Sequence, residues 1–198
     1  MPAAPAPRVA PLPGSRDRLL DAAIDLMRGF GLAGTGINDL VRASAAPKGS
    51  IYHFFPGGKL QIAGEALALY AVRVEAFIDE ALGSRRTPED KVRALFGAFA
   101  RRVEATQFTR SCAAGCASLD LGADLEPLRA TLVDAFEAWT RVIASHLEIG
   151  DARRAWSFAS LVLTAIEGAY VRARAEHSSQ AFVEAGTWLS RLAALERR

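Results

Sequence analysis

A chain of 198 residues, 51% of them hydrophobic, can bury a core as one or two small domains, and no apolar run in it approaches the ~20 residues a bilayer-spanning helix needs. A formal net charge of +2 is too small to announce a nucleic-acid partner by itself. Its distribution is uneven, for residues 1–59 carry seven Lys and Arg against four Asp, while the remainder carries 17 basic against 18 acidic residues.

Met1 to Gly14 is rich in Pro and Ala and has Arg8 as its only charged side chain. The stretch lacks the apolar segment of a signal peptide, which predicts a disordered arm over residues 1–14 of a cytoplasmic protein. From Arg16 an amphipathic helix is expected to run up to Gly29-Phe30-Gly31. Thr35 is a good N-cap, and Ile37, Leu40 and Val41 follow at spacings of three and four, which predicts a helix of about two turns with one buried face. Ser44-Ala45-Ala46 offers side chains small enough for a tight turn, and Pro47 suits a first helical position because its φ is already set. The helix predicted from Pro47 to Phe54 turns Ile51, Phe54 and Phe55 inward and leaves Lys48, Gly49, Ser50, Tyr52 and His53 to project. Those are groups that bond phosphates and base edges. Two short helices about a small-residue turn, at the positive end of the chain, outline a helix-turn-helix reader of DNA.

Pro56-Gly57-Gly58 ends that helix, and Lys59 opens a long one to about Leu82 with Ile62, Ala66, Leu69, Tyr70, Val74, Phe77 and Ile78 on one stripe. Thr87-Pro88-Glu89-Asp90 is a start signal, a capping threonine followed by proline and two acids, and Val92, Leu95, Phe96, Phe99 and Val103 continue it as a helix. Residues 106–124 are less regular, with one short helix expected around Gly115 to Leu121. Three further helices are expected over Leu125–Leu147, Asp151–Glu176 and Ser179–Leu195. Hardly anything suggests a strand, so the expected fold is all-α with about nine helices.

The run from Arg16 to about Leu67 resembles the amino-terminal domain of the TetR family of transcriptional regulators: a first helix closing in Gly-Phe-Gly, Thr35 before the second, then Ile51-Tyr52-His53-Phe54-Phe55 and a lysine opening a long helix. Phe55-Pro56-Gly57-Gly58-Lys59 resembles more particularly the LmrA/YxaF-like branch. The family usually has a glutamate after that lysine, where this chain has Leu60. The resemblance implies a three-helix DNA-binding domain over residues 15–59 and a helical effector-binding and dimerisation domain over residues 60–198. It implies a homodimer that binds double-stranded operator DNA, most simply as a repressor released by a small, mostly apolar effector. It also implies that Lys48, Gly49, Ser50 and Tyr52 enter the major groove, while Thr35, His53 and Lys59 hold phosphates. Neither a cofactor nor a metal nor a catalytic residue is implied.

By residue type the candidates for the effector pocket are Phe77, Phe99, Cys116, Phe136, Trp139 and Trp156, each of which also fits as plain core. Tyr70 and Phe77 are expected to carry a pocket signal along the long helix. Ser160, Thr164 and Gly168 recur every four residues, either for close approach of a partner helix or to make room for large neighbours in the same subunit. The Cys112-x-x-x-Cys116 spacing fits a redox switch or half a metal site, but no histidine lies nearby in sequence to complete a zinc site, and the pair reads better as small buried apolar residues. The competing classes are a helical adaptor or a small helical enzyme without DNA binding. A phosphate-binding glycine loop, a His-Glu-x-x-His helix and a Gly-x-Ser-x-Gly elbow are all absent from the sequence.

Overall fold

A computed structural model describes residues 14–83 and 85–196, and all their regular structure is helical. In chain order the elements are α1 (Ser15–Phe30), α2 (Ile37–Ser44), α3 (Lys48–Phe54), α4 (Gly58–Gly83), α5 (Pro88–Ala105), α6 (Ala113–Leu119), a 3₁₀ turn (Ala123–Leu128), α7 (Arg129–His146), α8 (Ala152–Glu176) and α9 (Gln180–Glu196). The arm expected over residues 1–14 lies, but for Gly14, outside the described residues. Among the described residues no helix is long and apolar enough to cross a membrane.

Local chemistry sets most boundaries. The Thr87 hydroxyl accepts the Asp90 N–H at 3.2 Å, with Pro88 opening α5, and the Asp151 carboxylate accepts the Arg154 N–H at 2.9 Å at the start of α8. Gly31 ends α1 at φ +74°, a region that costs any residue with a Cβ. Four expectations need local correction. Thr35 does not cap α2, because its hydroxyl instead donates to the Gly31 carbonyl at 2.7 Å and the helix begins after Gly36. Pro47 stands just before α3 rather than in it. The short helix lies at Ala113–Leu119, with Cys112 at its N-cap accepting the Gly115 N–H at 3.4 Å. The element expected from Leu125 splits, because Pro127 has no N–H to continue a helix, and only Arg129–His146 is α-helical.

Helices α1 to α3 close around Leu19, Met27, Leu40, Ile51 and Phe55, all nearly inaccessible to solvent. Helix α4 packs on α1 as well as on α5 and α7, so it belongs to both ends of the molecule. Helices α5 and α9 pack closely, because Gly186 has no side chain; a Cβ there would stand 2.6 Å from that of Phe96. The exposed flanks of α8 and α9 carry Trp156, Leu161 and Val171, and Val183, Trp188, Leu192 and Leu195 respectively. Exposed large apolar side chains on two helices that pack on each other are a mark of an interaction surface.

Candidate functional site

The reading edge is built on α3. Ile51 and Phe55 are fully buried and anchor the helix, with the Arg16 guanidinium 5.5 Å from the Phe55 ring centre. Lys48, Gly49, Tyr52 and His53 are exposed and Ser50 is half-buried. The Tyr52 ring is 60% exposed, so it is not held in place as core. A Cβ at Gly49 would meet nothing within 4 Å, so the protein's own packing does not require a glycine there. Thr35 departs from its expected role: it is 2% exposed and its hydroxyl is already bonded, which leaves no side-chain surface for a phosphate. Lys59 is half-buried and lines a recess of about 460 Å³ with Leu32, Asp120, Asp124 and Leu125.

The missing glutamate at Leu60 is compensated one residue on. The Gln61 side chain accepts the Gly57 N–H at 2.8 Å and donates to Glu65 at 2.8 Å, and Glu65 pairs with Arg16. The start of α4 is thereby capped and tied to α1.

A cavity of about 690 Å³ opens between α6, α7 and α8, walled by Cys116, Leu119, Phe136, Tyr170 and Val171, with Glu167 and Arg174 as its charged groups. Cys116 and Phe136 are the two sequence candidates that reach it. The other four do not. Trp139 is 1% exposed and its indole N–H donates to the Ala71 carbonyl at 2.9 Å. Phe99 packs against Phe77 and Tyr170, ring centres 5.0 and 5.9 Å apart, and Phe77 lies under the Arg102 guanidinium at 4.8 Å. Trp156 is exposed on α8 away from the cavity. Tyr70 is buried with its ring centre 6.1 Å from that of Trp139, and no α4 residue lines the wall. Within the cavity, burial pushes the Glu167 carboxyl up to about 7 and raises the Cys112 and Cys116 thiols. The Glu167 carboxylate lies against Gly115 of α6, where a Cβ would collide with it.

The cavity wall is bonded to the carboxyl end of α1. Arg174 donates to the Gly29 carbonyl at 2.6 Å and to the Arg28 carbonyl at 3.4 Å, the oxygens a helix leaves unpaired at its end. Ser111 and Arg28 bond reciprocally, Ser111 N–H to the Arg28 carbonyl at 2.9 Å and Arg28 Nε to the Ser111 carbonyl at 3.1 Å. Just past α6, Asp120 Oδ2 accepts the N–H groups of Leu32 and Ala33 at 2.7 and 2.9 Å. A Cβ at Gly31 would stand 2.7 Å from that same oxygen. The Arg110 guanidinium grips Asp25 with two bonds of 2.8 Å and holds its carboxyl below the usual range. The sequence gives no sign of these pairings, whose members lie 83 to 146 residues apart.

Comparison with known proteins accords with this geometry. Residues 19–66 match the family model of bacterial regulatory proteins, tetR family, and residues 88–187 match that of the LmrA/YxaF-like transcriptional regulator C-terminal domain. The uncharacterized HTH-type transcriptional regulator YxaF of Bacillus subtilis is 32% identical over 78% of this chain and 82% of its own length. The HTH-type transcriptional regulator LmrA of the same organism is 31% identical over 78% of this chain and 83% of its own length. A cysteine mutant of the TetR family regulator CifR, solved with a 26-base-pair double-strand operator, superposes with a TM-score of 0.77 at 20% identity, covering 94% of this chain and 98% of that one.

Proposed function

The chain belongs to the TetR family of DNA-binding transcriptional regulators, in its LmrA/YxaF-like branch, and on that premise we propose that it is a homodimeric repressor released from a pseudo-palindromic operator by a small, mostly apolar effector. Residues 15–59 form its DNA-reading unit, and residues 60 onward bind the effector and the second subunit. Lys48, Gly49, Ser50 and Tyr52 read the major groove, and His53 and Lys59 hold phosphates. The cavity between α6, α7 and α8 takes the effector.

The observation that carries this reading is that Arg174 and Ser111 both line the cavity and bond the end of α1. A ligand that displaces the wall therefore acts directly on the helix that α2 and α3 pack against. This route replaces the expected one through Tyr70 and Phe77 of α4, which do not reach the cavity. The dimer reading is supported by the bare apolar flanks of α8 and α9. Gly168 does not bear on the interface, because the open space beside it belongs to the cavity that it lines.

The test is a selection from random-sequence DNA followed by salt titration of the winner. A regulator of this kind yields a palindromic consensus with half-site centres roughly 34–36 Å apart and an affinity that falls steeply with salt. A non-symmetric consensus, or none, would refute the dimeric operator reading.

A further inference from the structure

The cavity is apolar on nearly every side, yet one carboxylic acid, Glu167, is set into its wall. Among the described residues that acid has no ion-pair partner within 4 Å; its hydrogen-bonding neighbour is the Cys112 thiol, a neutral group. The one cation on the wall, Arg174, is committed to the carbonyls of Gly29 and Arg28. An acid placed in this way has lost most of its hydration and has gained no charge in return. Two aromatic residues, Phe136 and Tyr170, line the same wall, and aromatic rings attract a desolvated cation.

We propose that the effector cavity is selective for lipophilic cations, amphiphiles in which an ammonium head sits against the Glu167 carboxylate beside Phe136 and Tyr170 and an apolar body lies along Leu119, Val171 and Ala175. The proposal rests on the reading of this cavity as the effector site and adds to it the ligand's charge. Electrostatics sets the preference: an anion would be brought to an acid, and a neutral body would leave the carboxylate buried without a partner. The Cys112 thiol bonds Glu167, and Cys116, Tyr170 and Arg174 share its wall, to which α7 brings only Phe136; the charges of Asp120, just past α6, and of the Arg28 guanidinium of α1 reach Cys116, and that of Arg28 reaches Tyr170 as well. Burial keeps both thiols and the Tyr170 phenol neutral near pH 7. Glu167 is therefore the group that changes charge between pH 6 and pH 8.

The experiment is calorimetric titration of the full chain with three probes of one tail length, all below micelle-forming concentration: decyltrimethylammonium, 1-decanol and decanoate. At pH 8 the cation is expected to bind at least about tenfold more tightly than the alcohol, with decanoate the weakest. Because the cation's charge is fixed, its affinity is expected to rise about tenfold from pH 6 to pH 8, following ionisation of an acid titrating near 7, while that of the alcohol does not rise. Glu167→Gln is expected to abolish both the preference and the pH dependence while retaining alcohol binding, and Glu167→Asp to restore part of the preference. A cation that binds no better than the alcohol, or one indifferent to Glu167→Gln, overturns the charge assignment and leaves the effector-site reading standing. If none of the three probes binds, the effector-site reading falls and this proposal with it.

Discussion

Arg174, on the cavity wall, donates at 2.6 Å to the main-chain carbonyl of Gly29, one residue before the end of the first helix. Two parts of the chain 145 residues apart thus share a charge-assisted hydrogen bond at the point where the helix dipole is negative. With the Ser111–Arg28 pair and the Asp120 carboxylate, this bond fixes how α1 sits on the helical body.

Arg174→Met keeps much of the side chain's bulk and removes both bonds. The expected outcome is a variant that folds and dimerises but binds operator about tenfold more weakly, because the reading head samples more orientations, and that responds less to effector. Fluorescence anisotropy on labelled operator measures both. Unchanged operator affinity together with an unchanged effector response would remove Arg174 from the coupling.

At the DNA edge, Lys59→Ala is expected to weaken binding to operator and to random DNA alike and to reduce the salt slope by about one. Tyr52→Ala is expected to lower operator affinity by about tenfold or more while leaving random-sequence affinity nearly unchanged, since base contacts are worth about 1–3 kcal/mol each. Reversed behaviour of the two variants would mean that the phosphate and base roles are wrongly divided.

Trp188 is 67% exposed in the isolated chain, with the Arg191 guanidinium 4.8 Å from its ring centre, and lies off the effector cavity. Trp188→Glu places a charge on the proposed α8–α9 interface and is expected to give a folded monomer with little operator affinity, measured by sedimentation and anisotropy. A dimer with full DNA binding would locate the interface elsewhere. Gly168→Glu is a less clean choice, because Gly168 lines the cavity.

Glu167 also predicts a pH dependence of stability. Its folded pKa, about 7, is raised from 4.5, so between those values the folded state holds the proton more tightly and stability falls as pH rises. The cost is absent below pH 4.5 and complete above about 7, where it amounts to about 3 kcal/mol as an upper figure. Glu167→Gln is expected to raise Tm relative to the parent at pH 8 but hardly at pH 4.5. Equal shifts at both pH values would show that Glu167 is not buried in this way.

The helix-turn-helix was legible because its signals are local: Ile37, Leu40 and Val41 mark one face, Pro47 the restart, and Pro56-Gly57-Gly58 the stop. Lys48, Tyr52 and His53 were legible as projecting groups for the same reason. Thr35 was misread because a threonine before a helix looks like a cap whether its hydroxyl points forward to an N–H or back to the Gly31 carbonyl. The cavity was less legible, because residue type separates an aromatic wall from an aromatic core poorly. Phe136 reaches the cavity, while Phe99 and Trp139 fill the core. The junction made by Asp120, Arg110, Ser111 and Arg174 was not legible at all, since its partners meet only after α6 and α8 have folded back onto α1.

Coupling between the cavity and the operator-binding surface is measurable by thermodynamic linkage. Once an effector has been found by thermal-shift screening, its affinity is measured with and without saturating operator DNA. A differential affinity of about 3 kcal/mol corresponds to a ~150-fold loss of operator binding, and reciprocity requires the operator to weaken the effector by the same factor. Matching factors in the two directions are expected; an effector affinity that operator DNA leaves unchanged would show that the cavity and the DNA-binding surface are not coupled.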